Sequence, residues 1–331
     1  ASGGVRCWGF NGDGQLGDGT SEDTPLPPAR DLLDGVTALA AGAYHTCVVR
    51  GEGVRCWGDN GSGQLGDGTQ EGRESPPPID VLTGVAGLAA GPLHTCALTN
   101  AGGVRCWGGN GFGVLGDGSS ADSMAPPAQD ILSDATAIAT RYSHACAITQ
   151  AGGVRCWGHN DAGQLGDGTK LDRDRPSSVV MSDATAVTTA FTHTCAVTRA
   201  GGVRCWGSNV YGELGDGTTS ERLLPATTDV LGDVSAIAAG ISHTCALTRA
   251  GAVRCWGSNV YGELGDGTTE PRRTPTAPVL TDVRAIAAGA SHTCALTRTG
   301  HVSCWGRNEY GQLGDGVTTD RSHPAAISVC P

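Results

Sequence analysis

Six cysteine pairs recur along this chain: Cys47 and Cys56, Cys96 and Cys106, Cys146 and Cys156, Cys195 and Cys205, Cys245 and Cys255, Cys294 and Cys304. Each pair has a histidine two positions before its first member: His45, His94, His144, His193, His243 and His292. Thiols and imidazoles so spaced can ligate a metal or be joined as disulfides. Metal ligation offers only Cys2His per pair, one ligand short of a closed zinc site and without a Cys-x-x-Cys knuckle. Disulfides fit better. Where the cysteines are nine apart, a two-residue loop (Gly51, Glu52) sets Cys47 opposite Cys56. Where they are ten apart, a three-residue loop such as Asn100, Ala101 and Gly102 sets Cys96 opposite Cys106. Directly opposed strand residues have Cβ atoms about 4.5 to 5.5 Å apart, and a modest closure reaches disulfide geometry. Each bridge then contributes roughly 2 to 3 kcal/mol in the chain-entropy description. Two cysteines remain, Cys7 and Cys330, and they are predicted to pair and tie the chain ends together.

The elements that position these residues repeat. Trp8, Trp57, Trp107, Trp157, Trp206, Trp256 and Trp305 stand 49 or 50 residues apart by their own numbers, each in a Cys-Trp-Gly-x-Asn phrase followed by a Leu-Gly-Asp-Gly turn and a Pro-bearing stretch. A period of this length marks a supersecondary unit that must stack on its neighbours. In the second unit, Val36-Thr-Ala-Leu-Ala-Ala reads as a first strand and His45-Thr-Cys-Val-Val as a second. Val54-Arg-Cys-Trp-Gly reads as a third, and a fourth is expected near Ile79-Asp-Val-Leu. Helical periodicity is not sustained anywhere. Four short strands per repeat point to a propeller blade. The expected fold is an all-β, seven-bladed β-propeller of ~50-residue repeats with one disulfide per blade, a single domain over residues 1–331. The chain begins at a third strand, so the N- and C-terminal segments are expected to close blade 1, with Ile327-Ser328-Val329-Cys330 beside Val5-Arg6-Cys7.

The His-Thr-Cys-Ala-Leu-Thr strand, the Gly-Gly-Val-Arg-Cys-Trp-Gly strand and the Asn-x-x-Gly-Gln-Leu-Gly-Asp-Gly-Thr loop resemble the regulator of chromosome condensation repeat family, in its bacterial form, over essentially the whole chain. The architecture is also similar to that of propeller-type beta-lactamase inhibitors. The resemblance implies a propeller, and for relatives of the inhibitor type it implies binding through loops. It does not select one function, because propellers of this family serve as exchange factors, enzyme inhibitors and adhesive modules.

Composition narrows the class. Aromatics make up only 5% of 331 residues while glycine supplies 53, so side-chain packing is thin and the bridges carry more of the stability. Fourteen cysteines place the chain outside the reducing cytosol, secreted or at a cell surface, and the opening Ala1-Ser2-Gly3-Gly4 reads as the start of a processed chain. No apolar run is long enough for membrane insertion. A formal net charge of -11, with 22 basic residues spread over the repeats, argues against nucleic-acid binding. No Gly-x-Ser-x-Gly, His-Glu-x-x-His or phosphate loop occurs, and the non-repeated His159, His301 and His323 form no triad, so no enzyme is expected. Cofactors are not expected either. Calcium is the alternative reading of the Asp18, Asp67, Asp117, Asp167, Asp216, Asp266 and Asp315 turns, but each offers one carboxylate where calcium takes six to eight oxygens. With Asn11, Asn60, Asn110, Asn160, Asn209, Asn259 and Asn308, these aspartates read as turn-forming groups.

Function shows where the repeats differ. Tyr44, Tyr142 and Phe191 lie between first and second strands, and Phe10, Phe112, Tyr211, Tyr261 and Tyr310 lie just after the Trp strand. Leu93 and Ile241 take the first-loop place in two other repeats. In an up-and-down blade both loops emerge on one face. Aromatics interleaved with polar residues suit protein recognition, since they give large contact area at small rotamer cost. These ten residues are the candidate site for a macromolecular partner, a protein first and a glycan second. Gap filling between blades is the competing reading, strongest for Tyr211 and Tyr261. A structural subunit of a surface layer, appendage or filament is the alternative function.

Overall fold

The computed structural model describes residues 3–327. Nineteen strands form six antiparallel sheets among them. Contacts divide the chain into two units, Ala1–His159 with Asp172–Val179 and Asn160–Leu171 with Val180–Pro331.

The first unit holds three sheets. They are β1 (Val36–Ala41), β2 (His45–Arg50) and β3 (Gly53–Gly58); β4 (Val85–Ala90), β5 (His94–Thr99) and β6 (Val104–Gly108); and β7 (Ala135–Arg141), β8 (His144–Thr149) and β9 (Val154–Gly158). The second unit repeats the pattern with β10 (Ala184–Thr189), β11 (His193–Thr198) and β12 (Val203–Gly207), then β13 (Val234–Ala239), β14 (His243–Thr248) and β15 (Val253–Gly257). Its last sheet has four strands: β16 (Val283–Ala288), β17 (His292–Thr297), β18 (Val302–Gly306) and β19 (Arg321–Ile327).

The hairpin register is the one the cysteine spacing predicts. Cys47 lies opposite Cys56 and Cys96 opposite Cys106, and all six hairpins carry their bridge with Cα atoms 4.1 Å apart. In the two-residue turn both Gly51 and Glu52 have positive φ, 57° and 68°, the twist that a tight hairpin requires. Cys7 is unbridged among the described residues, and burial, with Asp18 adding to it, pushes its thiol up to about 11. Its expected partner Cys330 lies outside the described residues.

One expectation needs correction, and a seventh sheet is not found among the described residues. Five sheets have three strands, because the fourth segment contributes only isolated bridges such as Val54 to Leu82 and Gly58 to Arg73. In this repeat Pro76, Pro77 and Pro78 sit between those two bridges and have no N–H to give to a ladder, whereas the outer strand that does form, Arg321–Ile327, carries the single Pro324 where its register shifts. The first repeat, expected to help build a seventh blade, forms no sheet among the described residues and shows the same isolated bridges, Val5 to Leu33 and Gly9 to Thr24. Ile327 is the inner end of the outermost strand of the last sheet, opposite Val302; the rest of its expected closing segment, Ser328–Cys330, lies outside the described residues.

The core lies between neighbouring sheets. Trp107 is fully buried against Cys47, Val49, Val54 and Leu65 of the preceding sheet, and Trp256 packs in the same way on Cys195, Val197, Val203 and Leu214. The disulfides are therefore part of the apolar packing as well as cross-links. Gly66 has no alternative here: its φ is +78° and a Cβ would lie 2.5 Å from Trp107 Nε1.

Candidate partner-binding site

Within each unit, a hydrogen-bond relay fixes one sheet on the next. Gln64 O accepts from Trp107 Nε1 at 3.0 Å and from Thr95 Oγ1 at 2.8 Å. The Thr95 hydroxyl gives its single proton to that carbonyl, so it accepts from His45 Nε2–H at 2.8 Å. Burial keeps the His45 imidazole neutral. Burial lowers its pKa to about 4, against smaller opposing effects of Asp59 and the Pro92 backbone, and burial lowers His94 and His193 to about 3. In the second unit, Glu213 O serves Trp256 and Thr244, and His193 Nε2 meets Thr244 Oγ1 at 2.9 Å. His45, His94, His193 and His243 are structural links, each reaching a hydroxyl of the neighbouring sheet in its own unit.

One repeat breaks this rule and repairs it. Ala145 replaces the threonine of the second strand, and Thr140, directly across the ladder from it, receives His94 Nε2 at 2.6 Å instead. Thr140 then donates to His144 O at 3.1 Å.

The Gly-Asp-Gly turns hold themselves. Asn60 Oδ1 accepts from Leu65 N while its Nδ2 reaches Asp67 and the Thr69 and Glu71 carbonyls. Asp67 takes Thr69 N–H, the Thr69 hydroxyl and Arg73, so its lone pairs are occupied by donors of the chain itself. No group of three or more metal-ligating side chains occurs among the described residues.

Above this frame sit the two loops of each repeat. They share one end of their sheet: Tyr44 O accepts from Asp59 N, Leu93 O from Gly109 N and Ser143 O from His159 N. In the second unit, Thr192 O and Ser242 O accept from Ser208 N and Ser258 N. The first unit thus presents Phe10, Tyr44, Leu93, Phe112 and Tyr142 from loops of one kind, and the second presents Phe191, Tyr211, Ile241, Tyr261 and Tyr310. Tyr44, Leu93, Phe112, Phe191, Tyr211 and Tyr310 are 41 to 52% exposed, while Phe10, Tyr142, Ile241 and Tyr261 are half-buried. Phe112 and Tyr142 have φ of 63° and 55°, a region that bulky side chains rarely occupy. Phe112 lies in a single 3-10 turn, Gly111–Gly113, and stacks on His159 at 4.1 Å between ring centroids. Burial, with Tyr44 acting the same way and Arg141 against it, raises the Tyr142 phenol.

The sequence reading overlooked Val210 and Val260, which precede Tyr211 and Tyr261 and are 66% and 62% exposed. The available signal was the pair of identical Ser-Asn-Val-Tyr-Gly-Glu loops, in which valine stands where the first three repeats have glycine. Arg307 adds a cation beside these loops: its guanidinium stands 5.0 Å from the Tyr261 ring and pairs with Glu309.

Repeated antiparallel sheets, five of three strands and one of four, with tryptophans packed between neighbours, define a propeller-like all-β protein, and the comparisons agree. A family model described as RCC1-like domain matches residues 4–330, and the chain belongs to that family. The crystal structure of human WBSCR16 superposes with a TM-score of 0.85 at 25% identity, covering 98% of this chain and 93% of that one. Yeast RCC1 (Prp20), crystallised with Kap60, gives 0.85 at 22% identity, covering 98% and 83%. Prp20p from Saccharomyces cerevisiae, described with its binding to Gsp1p and histones, gives 0.85 at 23% identity, covering 98% and 86%. No curated protein matches.

Proposed function

We propose that this chain is a secreted or cell-surface binding module that recognises a protein through the loop ends of its sheets, and that it acts without catalysis or a cofactor. The observation that carries the reading is the exposure of Tyr44, Phe112, Phe191, Tyr211 and Tyr310 at equivalent loops, in a protein whose repeat tryptophans from Trp57 to Trp305 are fully buried. Rigid rings held out of the core give contact area with little rotamer entropy to lose. Six disulfides support an oxidising environment, and among the described residues no helix is long and apolar enough to cross a membrane. Prp20p is described with protein partners, a use of the same fold that fits this reading. The test is capture of partners from the native milieu by the wild type and by a variant with Tyr44, Phe112, Tyr142 and Phe191 all changed to Ala. The variant should lose the captured protein, and equal capture by both would remove the reading.

A further inference from the structure

At the seams between neighbouring sheets, the side chain two places after the loop Asn meets the residue that follows Trp-Gly in the next repeat. Phe112 and His159 are such a pair, as are Tyr261 and Arg307. At Ser62 and Gly109 the positions are close enough that a Cβ on the glycine would lie 3.3 Å from Ser62 Cβ. In the first seam the same two positions hold Asp13 and Asp59, two carboxylates where two other seams place a ring against a base.

Neither carboxylate has an ion-pair partner among the described residues. Four aspartates of this unit pair with arginine, in Arg6–Asp31, Arg55–Asp80, Arg73–Asp67 and Arg105–Asp130. Asp59 receives only neutral donors, Gly61 N–H at 3.0 Å and Gln64 Nε2 at 2.6 Å. Burial and then the charge of Asp59 raise the Asp13 carboxyl. Tyr44 adjoins the pair, since its carbonyl accepts the Asp59 N–H at 2.8 Å and its side chain is 41% exposed.

A second feature of the same loop is independent of charge. Gln15 is more than nine-tenths buried; its Oε1 accepts the Asp13 N–H at 3.0 Å, yet its Nε2 has no partner. In the equivalent Gln64, Nε2 reaches Asp59, the side chain after Trp-Gly. Phe10 stands at that place in the Gln15 repeat and offers no acceptor. A buried donor left unmade is a cost that an incoming carbonyl removes.

We propose that this corner of the first unit anchors a lysine- or arginine-bearing peptide segment of the protein partner, its cation between Asp13 and Asp59 beside Tyr44 and a neighbouring peptide carbonyl on Gln15 Nε2. The inference rests on the partner-binding reading and adds the chemistry of the partner. Charge-assisted bonds to two carboxylates and contact with a tyrosine face both favour a cation, and the net charge of -11 favours its approach.

The probe is a fluorescein-labelled decalysine peptide, measured by anisotropy at about 150 mM salt, where long-range attraction is screened. The double variant Asp13→Asn/Asp59→Asn is compared with Glu22→Gln/Glu71→Gln, an equal change of net charge on exposed residues of the same unit. The first should weaken binding about tenfold and the second less than about twofold. Equal losses in both variants would overturn the proposal. On the wild type, carbodiimide coupling of decalysine followed by peptide mapping should place the link on Asp13 or Asp59, and links spread over other carboxylates would overturn it without reference to any variant. The broader reading is scored separately by the aromatic quadruple variant. Loss of capture there, with the Asp13/Asp59 variant binding both decalysine and the native partner normally, would sink the cation assignment alone.

Discussion

Acidification from pH 7 to pH 5 should destabilise this protein steeply, through histidines rather than carboxylates. His45, His94 and His193 are buried and neutral, with pKa lowered from 6.5 to about 4, about 3 and about 3. The unfolded chain binds a proton at each below pH 6.5 and the folded protein does not, so this contribution to stability is complete above pH 6.5. It is lost as pH falls toward the folded-state values. By linkage, each site costs about 2 kcal/mol at pH 5, and the three together about 5 to 6 kcal/mol, comparable with the whole stability of many domains. Asp67, Asp216 and Asp266 do not act in this window. Burial opposes the shift, but bonds from Thr69, Thr218 and Thr268 and from Arg73, Arg222 and Arg272 hold them below 3.8, so their contribution is lost only at lower pH. Glu213 and Glu263, raised by burial, work the other way and offset part of the loss. The assay is chemical denaturation with disulfides intact at constant ionic strength, stepped from pH 7.5 to 4.5. His193→Gln keeps an N–H for Thr244 and removes the titration, so the slope between pH 6.5 and 5 should fall by about a third. A flat wild-type profile over that interval, or an unchanged slope in His193→Gln, would refute the argument.

Three further outcomes follow from the packing. Thr140→Ala should cost about 1 to 3 kcal/mol by orphaning His94 Nε2, and adding Ala145→Thr should restore most of it, because the hydroxyl returns to the place it holds in other repeats; thermal melts of both variants decide it. Gly66→Ala should lower stability by at least about 2 kcal/mol, since its φ of +78° and the Trp107 indole leave no room for a methyl, and a melting temperature equal to wild type would contradict the seam packing. Limited reduction followed by mass spectrometry should open Cys294–Cys304 first, because Cys294 is only half-buried whereas the cysteines of the other five bridges are buried; simultaneous opening of all six would count against accessibility as the control.

The bridges and the three inner strands were legible because they depend on local spacing. Two or three loop residues determine which cysteines face each other, and alternation determines which face is buried. The outer strand was overestimated, since Pro76 to Pro78 had been given less weight than the Ile79-Asp-Val-Leu run that follows them. The site was legible only in part. Exposed aromatics stood out by residue type, but the approach of Asp13 to Asp59 joins residues 46 positions apart through the stacking of one repeat on the next. The same distance hid the relay: the role of Thr140 appears only when its ladder partner Ala145 and His94 of the preceding repeat are seen together.

Each sulfur–sulfur link closes a segment of nine or ten residues inside its own hairpin. Oxidative maturation therefore needs no long-distance search, and correct partners are the nearest ones as soon as two strands have emerged from synthesis. At the level of ancestry, whole modules can be duplicated or lost without stranding a thiol, and the twin Ser-Asn-Val-Tyr segments look like the trace of one such copying event.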